Sequence, residues 1–455
     1  MTAEGIVGEF FSLKEDTDAD LLAMQCGDFY EFFGEDAETV ADELDLKVSQ
    51  KSSHGSSYPM AGVPVDELTP YVSALVERGY RVAVADQYEA DDGHDRDITR
   101  VVSPGTLLET TDAEAQYLAA VVRDGETTYG IAFADVTSGQ FHVTELAGED
   151  AADRLLTDLY RFAPVEILPG PDVRGDDTLL ERLRDRTDAV LTLHATEAFA
   201  PGRARHRVRE QFGRETLDSV GVAEQDAAVR AAGGILSYVE ETGAGVLASM
   251  TRLQAHGGGN HVELDATTQR NLELTETMQG DRTGSLVDTI DHTVTSAGSR
   301  LLTEWLQRPL QARGELERRQ SAVAALTEAA MAREQLRDLL DGAYDLERLA
   351  ARATSGSADA RDLRAAQGTL ALLPELGDLV AETDRFADSA LTDIVAGPDH
   401  DAVADLAAEL DAALVSDPPG TITQGSIISP EYDGELADLV ERHEESLRWL
   451  ETLPD

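Results

Sequence analysis

The apolar positions of this chain change period along its length. Over residues 1–107 short apolar runs alternate with helical patterns, which predicts an α/β region. A helix is expected from Glu35-Asp36, acids suited to a helix N-terminus, through Ala37, Val40, Ala41 and Leu44 at helical spacing. Residues 108–255 predict a second α/β unit, with strands near 117–122, 128–135 and 139–145, a helix near 150–161, and strands at 165–168 and 189–193. Thr137-Ser138-Gly139 supplies a hairpin turn between two of these strands. From about residue 256 the pattern is almost wholly helical, with amphipathic stretches through 284–306, 312–340 and 343–380. Leu436, Leu439, Val440, Leu447, Leu450 and Leu453 form a last helical stripe that needs a partner. Three domains, 1–107, 108–255 and 256–455, suit a length of 455 residues.

One heptad stands out, Gly27-Asp28-Phe29-Tyr30-Glu31-Phe32-Phe33. If it is extended, Phe29 and Glu31 leave the backbone on the same side. A flat ring can wedge between stacked bases, and an acid beside it can test the edge of a base by hydrogen bonding. An aromatic-rich core strand is the plainer reading of the same seven residues.

Composition changes the conditions under which such a site would work. The chain has 88 acidic and 37 basic residues, a formal charge of −51 and a pI near 4.3, yet 42% hydrophobic content supports packed cores. The acids are dispersed, which indicates adaptation to a salt-rich cytoplasm, where charge repulsion is screened within about 3 Å at 1 M salt. Phosphate neutralisation loses most of its driving force in molar salt. Base–aromatic stacking, worth roughly 1–3 kcal/mol per base, keeps more of its strength. Lys14, Lys47 and Lys51 are the only lysines, the other basic residues being arginine. Of the three, Lys51 in Gln50-Lys51-Ser52-Ser53 is the candidate phosphate contact, while Lys14 and Lys47 read equally well as solvated loop lysines.

Residues 21–48 (LLAMQCGDFYEFFGEDAETVADELDLKV) resemble the mismatch-recognition domain of the MutS family of DNA mismatch-repair proteins. Pro59-Met60-Ala61-Gly62-Val63-Pro64, Tyr80-Arg81-Val82-Ala83-Val84-Ala85-Asp86-Gln87 and Ser103-Pro104-Gly105-Thr106 follow in the family's order. Residues 128–141 (TYGIAFADVTSGQF) resemble its connector, and 264–310, with Arg270-Asn271-Leu272-Glu273 and Thr295-Ser296-Ala297-Gly298-Ser299-Arg300, its helical core. The resemblance implies a multidomain protein: an α/β mismatch-recognition domain, an α/β ribonuclease H-like connector, then an all-α core and lever, with the clamp starting at about 420.

In function it implies binding of mismatched double-stranded DNA, with Phe29 stacking on the mispaired base, Glu31 hydrogen-bonding it and Lys51 at a basic position of the family. It also implies a homodimer at full length and a repair-partner protein docking at the connector. The family's C-terminal P-loop ATPase, which uses ATP and Mg2+, needs Gly-x-x-x-x-Gly-Lys-Ser/Thr, and no lysine follows position 51. A fragment of a DNA-dependent ATPase is therefore expected, itself without cofactor or catalysis, in preference to a natural short form. The alternatives are a paralogue that binds branched or structured DNA, and a docking module that reads no mismatch.

Other chemistry is sparse. The sole cysteine, Cys26, fits a reducing cytoplasm and a small buried residue better than a nucleophile. His256-Gly-Gly-Gly-Asn-His261 reads as a flexible boundary between connector and core, with metal binding a lesser reading. Asp91-Asp92-Gly93-His94-Asp95-Arg96-Asp97 lacks calcium-loop spacing and reads as a solvated insertion. The connector shows no carboxylate cluster of a nuclease, and no apolar run is long enough to cross a membrane.

Overall fold

The computed structural model describes residues 5–53, 56–90, 93–107, 116–242, 245–257, 261–262, 264–419 and 425–451. They divide into two compact units, Met1–Gly257 and Gly258–Asp455.

The first unit holds two six-stranded sheets. In the first are β1 (Leu21–Cys26), β2 (Phe29–Phe33), β3 (Ser49–Ser53), β4 (Ser56–Pro64), β5 (Val82–Ala90) and β6 (Gly93–Val102). Their order is β3-β4-β2-β1-β5-β6, parallel only between β1 and β5. Both faces are covered, so β1 reads as a continuous apolar run. Leu21 and Ala23 face Val40 of helix Glu35–Leu44 and Leu75 of helix Leu68–Glu77. Leu22, Met24 and Phe33 face Val7 and Phe10 of helix Ile6–Glu15. Phe10 meets Phe33 edge to face at 5.2 Å.

The acidic stretch expected as an insertion is ordered sheet. Gly93 to Asp97 open β6, which pairs with β5, and the Tyr88 hydroxyl donates to Asp97 at 2.9 Å. Asp95 and Asp97 are solvated, but on an exposed edge strand held by backbone pairing. Asp91 and Asp92 lie outside the described residues.

The second sheet comprises β7 (Tyr117–Asp124), β8 (Thr128–Asp135), β9 (Gln140–Ala147), β10 (Glu166–Pro169), β11 (Val190–Leu191) and β12 (Arg252–Ala255), ordered β11-β10-β7-β8-β9-β12. An antiparallel meander followed by two strands parallel to its first member is the ribonuclease H-like order. Helix Asp226–Glu241 covers one face so closely that a Cβ on Gly130 would lie 2.0 Å from the Ala227 carbonyl carbon. Helices Ala151–Phe162 and Asp177–Arg186 cover the other.

Among the described residues the regular elements of the second unit are helices, joined by turns and loops, with two isolated bridges. The stretch at 284–306 is two helices, Leu286–Ile290 and Ser296–Gln307, with Thr295 capping the second. Residues 312–340 are also two, Arg313–Glu328 and Ala330–Asp341, broken where Ala329 leaves helical backbone. Residues 343–380 resolve into Leu346–Ser355 and Ala360–Glu382, separated by Gly356 in the left-handed region. The last helix is Gly434–Glu451, and Leu453 lies outside the described residues.

Candidate nucleic-acid interface

Strand β2 alternates as its sequence requires. Tyr30 and Phe32 point into one core, and Phe29, Glu31 and Phe33 share the opposite face. Burial along that face falls toward the strand's beginning: Phe33 is fully buried, Glu31 half-buried, and Phe29 48% exposed. The ring of Phe29 is thus presented to solvent from a strand whose next aromatics anchor it in two cores.

Neighbouring elements fix the turn that aims the ring. Gly27, at φ 67°, allows the tight β1–β2 connection. Its N–H donates to the Gln87 side chain at 3.1 Å, and Val65 N–H donates to the Asp28 carbonyl at 3.0 Å. The Arg96 guanidinium donates to the Gln25 carbonyl, to Glu9 at 2.8 Å and to Gln87 at 2.8 Å. On the far side the Tyr30 hydroxyl donates to Asp86, and burial, then that bond, raises the phenol above its ordinary pKa. Arg96 and Gln25 were not singled out from sequence, because their roles depend on β1–β5–β6 register.

Glu31 pairs with Gly62 across β2–β4, and Gly62 leaves space beside both Glu31 and Phe29. Lys51 pairs with Tyr58 across β3–β4, which places it on the same sheet face as Glu31. Its ammonium reaches Glu31 Oε2 at 2.5 Å and lies 5.4 Å from the Phe33 ring centroid. Phe29, Glu31 and Lys51 therefore come together, with Lys51 directed at Glu31. Lys14 pairs with Asp36 at 2.8 Å and donates to the Asp20 carbonyl, which makes it part of the fold; Lys47 is exposed.

Cys26 pairs with Phe29 on the same face and is half-buried. Burial, then the Glu31 charge, pushes its thiol up to about 12, so at neutral pH it is protonated. His256 is buried against Asp158 and Arg161 in the first unit, while His261 bridges to Leu310 in the second. Among the described residues no three His, Cys, Asp or Glu side chains gather as a metal site, and no helix is long and apolar enough to cross a membrane.

The order of folds, a mixed six-stranded sheet that presents the Phe29 ring at its β1–β2 turn, a ribonuclease H-like sheet and a helical region, defines a MutS-type domain series. The family models agree: MutS domain I matches residues 4–111, MutS domain II residues 116–251 and MutS domain III residues 267–452. The chain belongs to the MutS family.

It is 69% identical over 457 residues to DNA mismatch repair protein MutS 1 of Haloarcula marismortui, covering 100% of this chain and 50% of that protein. With MutS 1 of Halobacterium salinarum it shares 59% identity over 452 residues, covering 99% and 52% respectively. MutS of Thermosynechococcus vestitus is 36% identical over 461 residues, covering 97% and 52%. The chain spans about half the length of the curated relatives it matches. The acidic composition accords with the halophilic archaeal origin of the first two.

Proposed function

We propose that this chain binds mismatched duplex DNA, as the recognition part of a MutS-type mismatch-repair protein. The observation that carries the reading is the exposed ring of Phe29 beside the Glu31 carboxylate, on a turn braced by Gln87, Arg96 and Val65. Phe29 enters the duplex and stacks on the mispaired or unpaired base, holding a kink open. Glu31 hydrogen-bonds that base and disfavours fully paired DNA by its charge near the phosphates. Selectivity comes mainly from deformability, because a mismatched step unstacks at lower cost than a paired one. The steps driven by ATP and Mg2+ belong to the part of the relatives that this chain does not span. Homodimer formation and partner docking at the connector complete the same reading.

Fluorescence anisotropy in molar KCl, on one duplex with and without a G·T mismatch, tests it. Tighter binding to the mismatch, lost in Phe29→Ala, is the expected result. No preference in a folded protein would overturn it, and strong binding to branched DNA alone would point to a junction-reading paralogue.

A further inference from the structure

Lys51 stands where a phosphate contact is expected, but its ammonium is committed elsewhere. It comes from β3, two strands away from β2, and its stem crosses the sheet face over Phe33 to end on Glu31 Oε2. The Glu31 side chain is only 13% exposed and that of Lys51 31%, so water screens the pair incompletely. On β4, Gly62 lies opposite Glu31, and Tyr58, the partner of Lys51, lies four residues before it on the same face. In a chain whose basic residues are almost all arginine, a lysine here supplies a compact single charge on a flexible stem.

We propose that Lys51 is the positioning residue of Glu31: it holds the carboxylate beside Phe29 and offsets its charge, and so sets how strongly mispaired DNA is preferred over paired DNA. The proposal rests on the mismatch reading of Phe29 and Glu31 and assigns Lys51 a role through Glu31 in place of one through phosphate. Without Lys51, Glu31 keeps its charge but loses its orientation, and base recognition and phosphate repulsion are no longer balanced. An independent phosphate contact would act the same whether or not residue 31 carries a charge.

The experiment is a double-mutant cycle on the 455-residue chain with Lys51→Met, Glu31→Gln and the double variant. Two readouts are used: the ratio of mismatch to paired affinity, and the alkylation rate of Cys26 by iodoacetamide at pH 8 without DNA. Cys26 is the only thiol and senses both charges, Glu31 raising and Lys51 lowering its pKa. The expected result is a five- to tenfold fall in the affinity ratio for Lys51→Met that disappears in the Glu31→Gln background. Alkylation is expected to slow in Lys51→Met and to quicken in Glu31→Gln.

Equal losses for both duplexes, of the same size in both backgrounds, would overturn the assignment and return Lys51 to the phosphates. Unchanged alkylation in Lys51→Met would overturn the pair itself. Because the thiol readout needs no DNA, absence of mismatch preference in the wild type would overturn the functional reading alone, and altered thiol rates would still support the pair.

Discussion

The two units solve the same problem of burying apolar surface in different ways. In the first, sheets covered on both faces seal large side chains completely, among them Phe10, Phe32, Phe33, Phe133, Phe141 and Tyr238. In the second, none of the residues of helices Arg313–Glu328 and Ala330–Asp341 is buried, and Val323, Met331, Ile394 and Leu406 are at least half exposed. Caps and ion pairs help to order it, such as the reciprocal bonds between Asp359 and Asp362 and the pairing of Arg352 with Asp362 at 2.8 Å. Layered sheets close a core on themselves, whereas helices with half-buried stripes draw stability from local bonds and from whatever else covers them.

The sharpest way to break this contrast is to cut into each region. Phe133→Ala should destabilise the first unit by about 3–5 kcal/mol, and Met331→Ala should leave the second within about 0.5 kcal/mol. Hydrogen exchange read peptide by peptide separates the units, which a single global midpoint would merge. Equal losses would show that the second unit has a core of the same quality.

Next in size is the buried carboxylate of Glu166. It accepts from Ser103 Oγ at 2.7 Å, Gly105 N–H at 2.9 Å, Thr192 Oγ1 at 2.5 Å and the Tyr238 hydroxyl at 2.8 Å. Glu166→Ala removes the shared acceptor of these buried donors and should cost roughly 3 kcal/mol in the first unit alone. Removing the cap in the second, Asp359→Ala, should cost about 1 kcal/mol and show as faster exchange in the first turn of Ala360–Glu382.

The smallest effect is electrostatic. Hydrogen bonds from Arg318, then Arg319, hold the half-buried Glu315 carboxyl at about 2 instead of 4.5. The folded value is depressed, so the contribution is present above about pH 4.5 and is lost as pH falls through about 2. A carbon-13 titration of Glu315 should find that midpoint, and Arg318→Gln should move it upward. A midpoint at the ordinary value would mean that these surface pairs do not persist in solution.

Much of this was legible in the chain because burial leaves a periodic trace. Strands β7 to β9 and helices Glu35–Leu44 and Ala151–Phe162 fall where apolar spacing predicts them. Strand β12, Arg-Leu-Gln-Ala, buries only Leu253 and is held by pairing with β9, so four residues leave too short a pattern to mark it. The same holds for the polar start of β6. The break at Ala329 carries neither proline nor glycine and had no local signal. At the site, alternation placed Phe29 and Glu31 on one face, but the reach of Lys51 to Glu31 follows from β3–β4–β2 register, which spacing along the chain does not encode.

The Glu166 cluster has a mechanical consequence. Ser103 and Gly105 close the first sheet's chain, while Glu166, Thr192 and Tyr238 belong to the second sheet's fold, and all of them are sealed from solvent. Turning one sheet against the other would pull the carboxylate off these buried donors, of which Ser103 keeps a second partner, Thr106 Oγ1 at 2.9 Å. The joint therefore differs from a solvated linker, because twisting it costs buried hydrogen bonds as well as chain entropy.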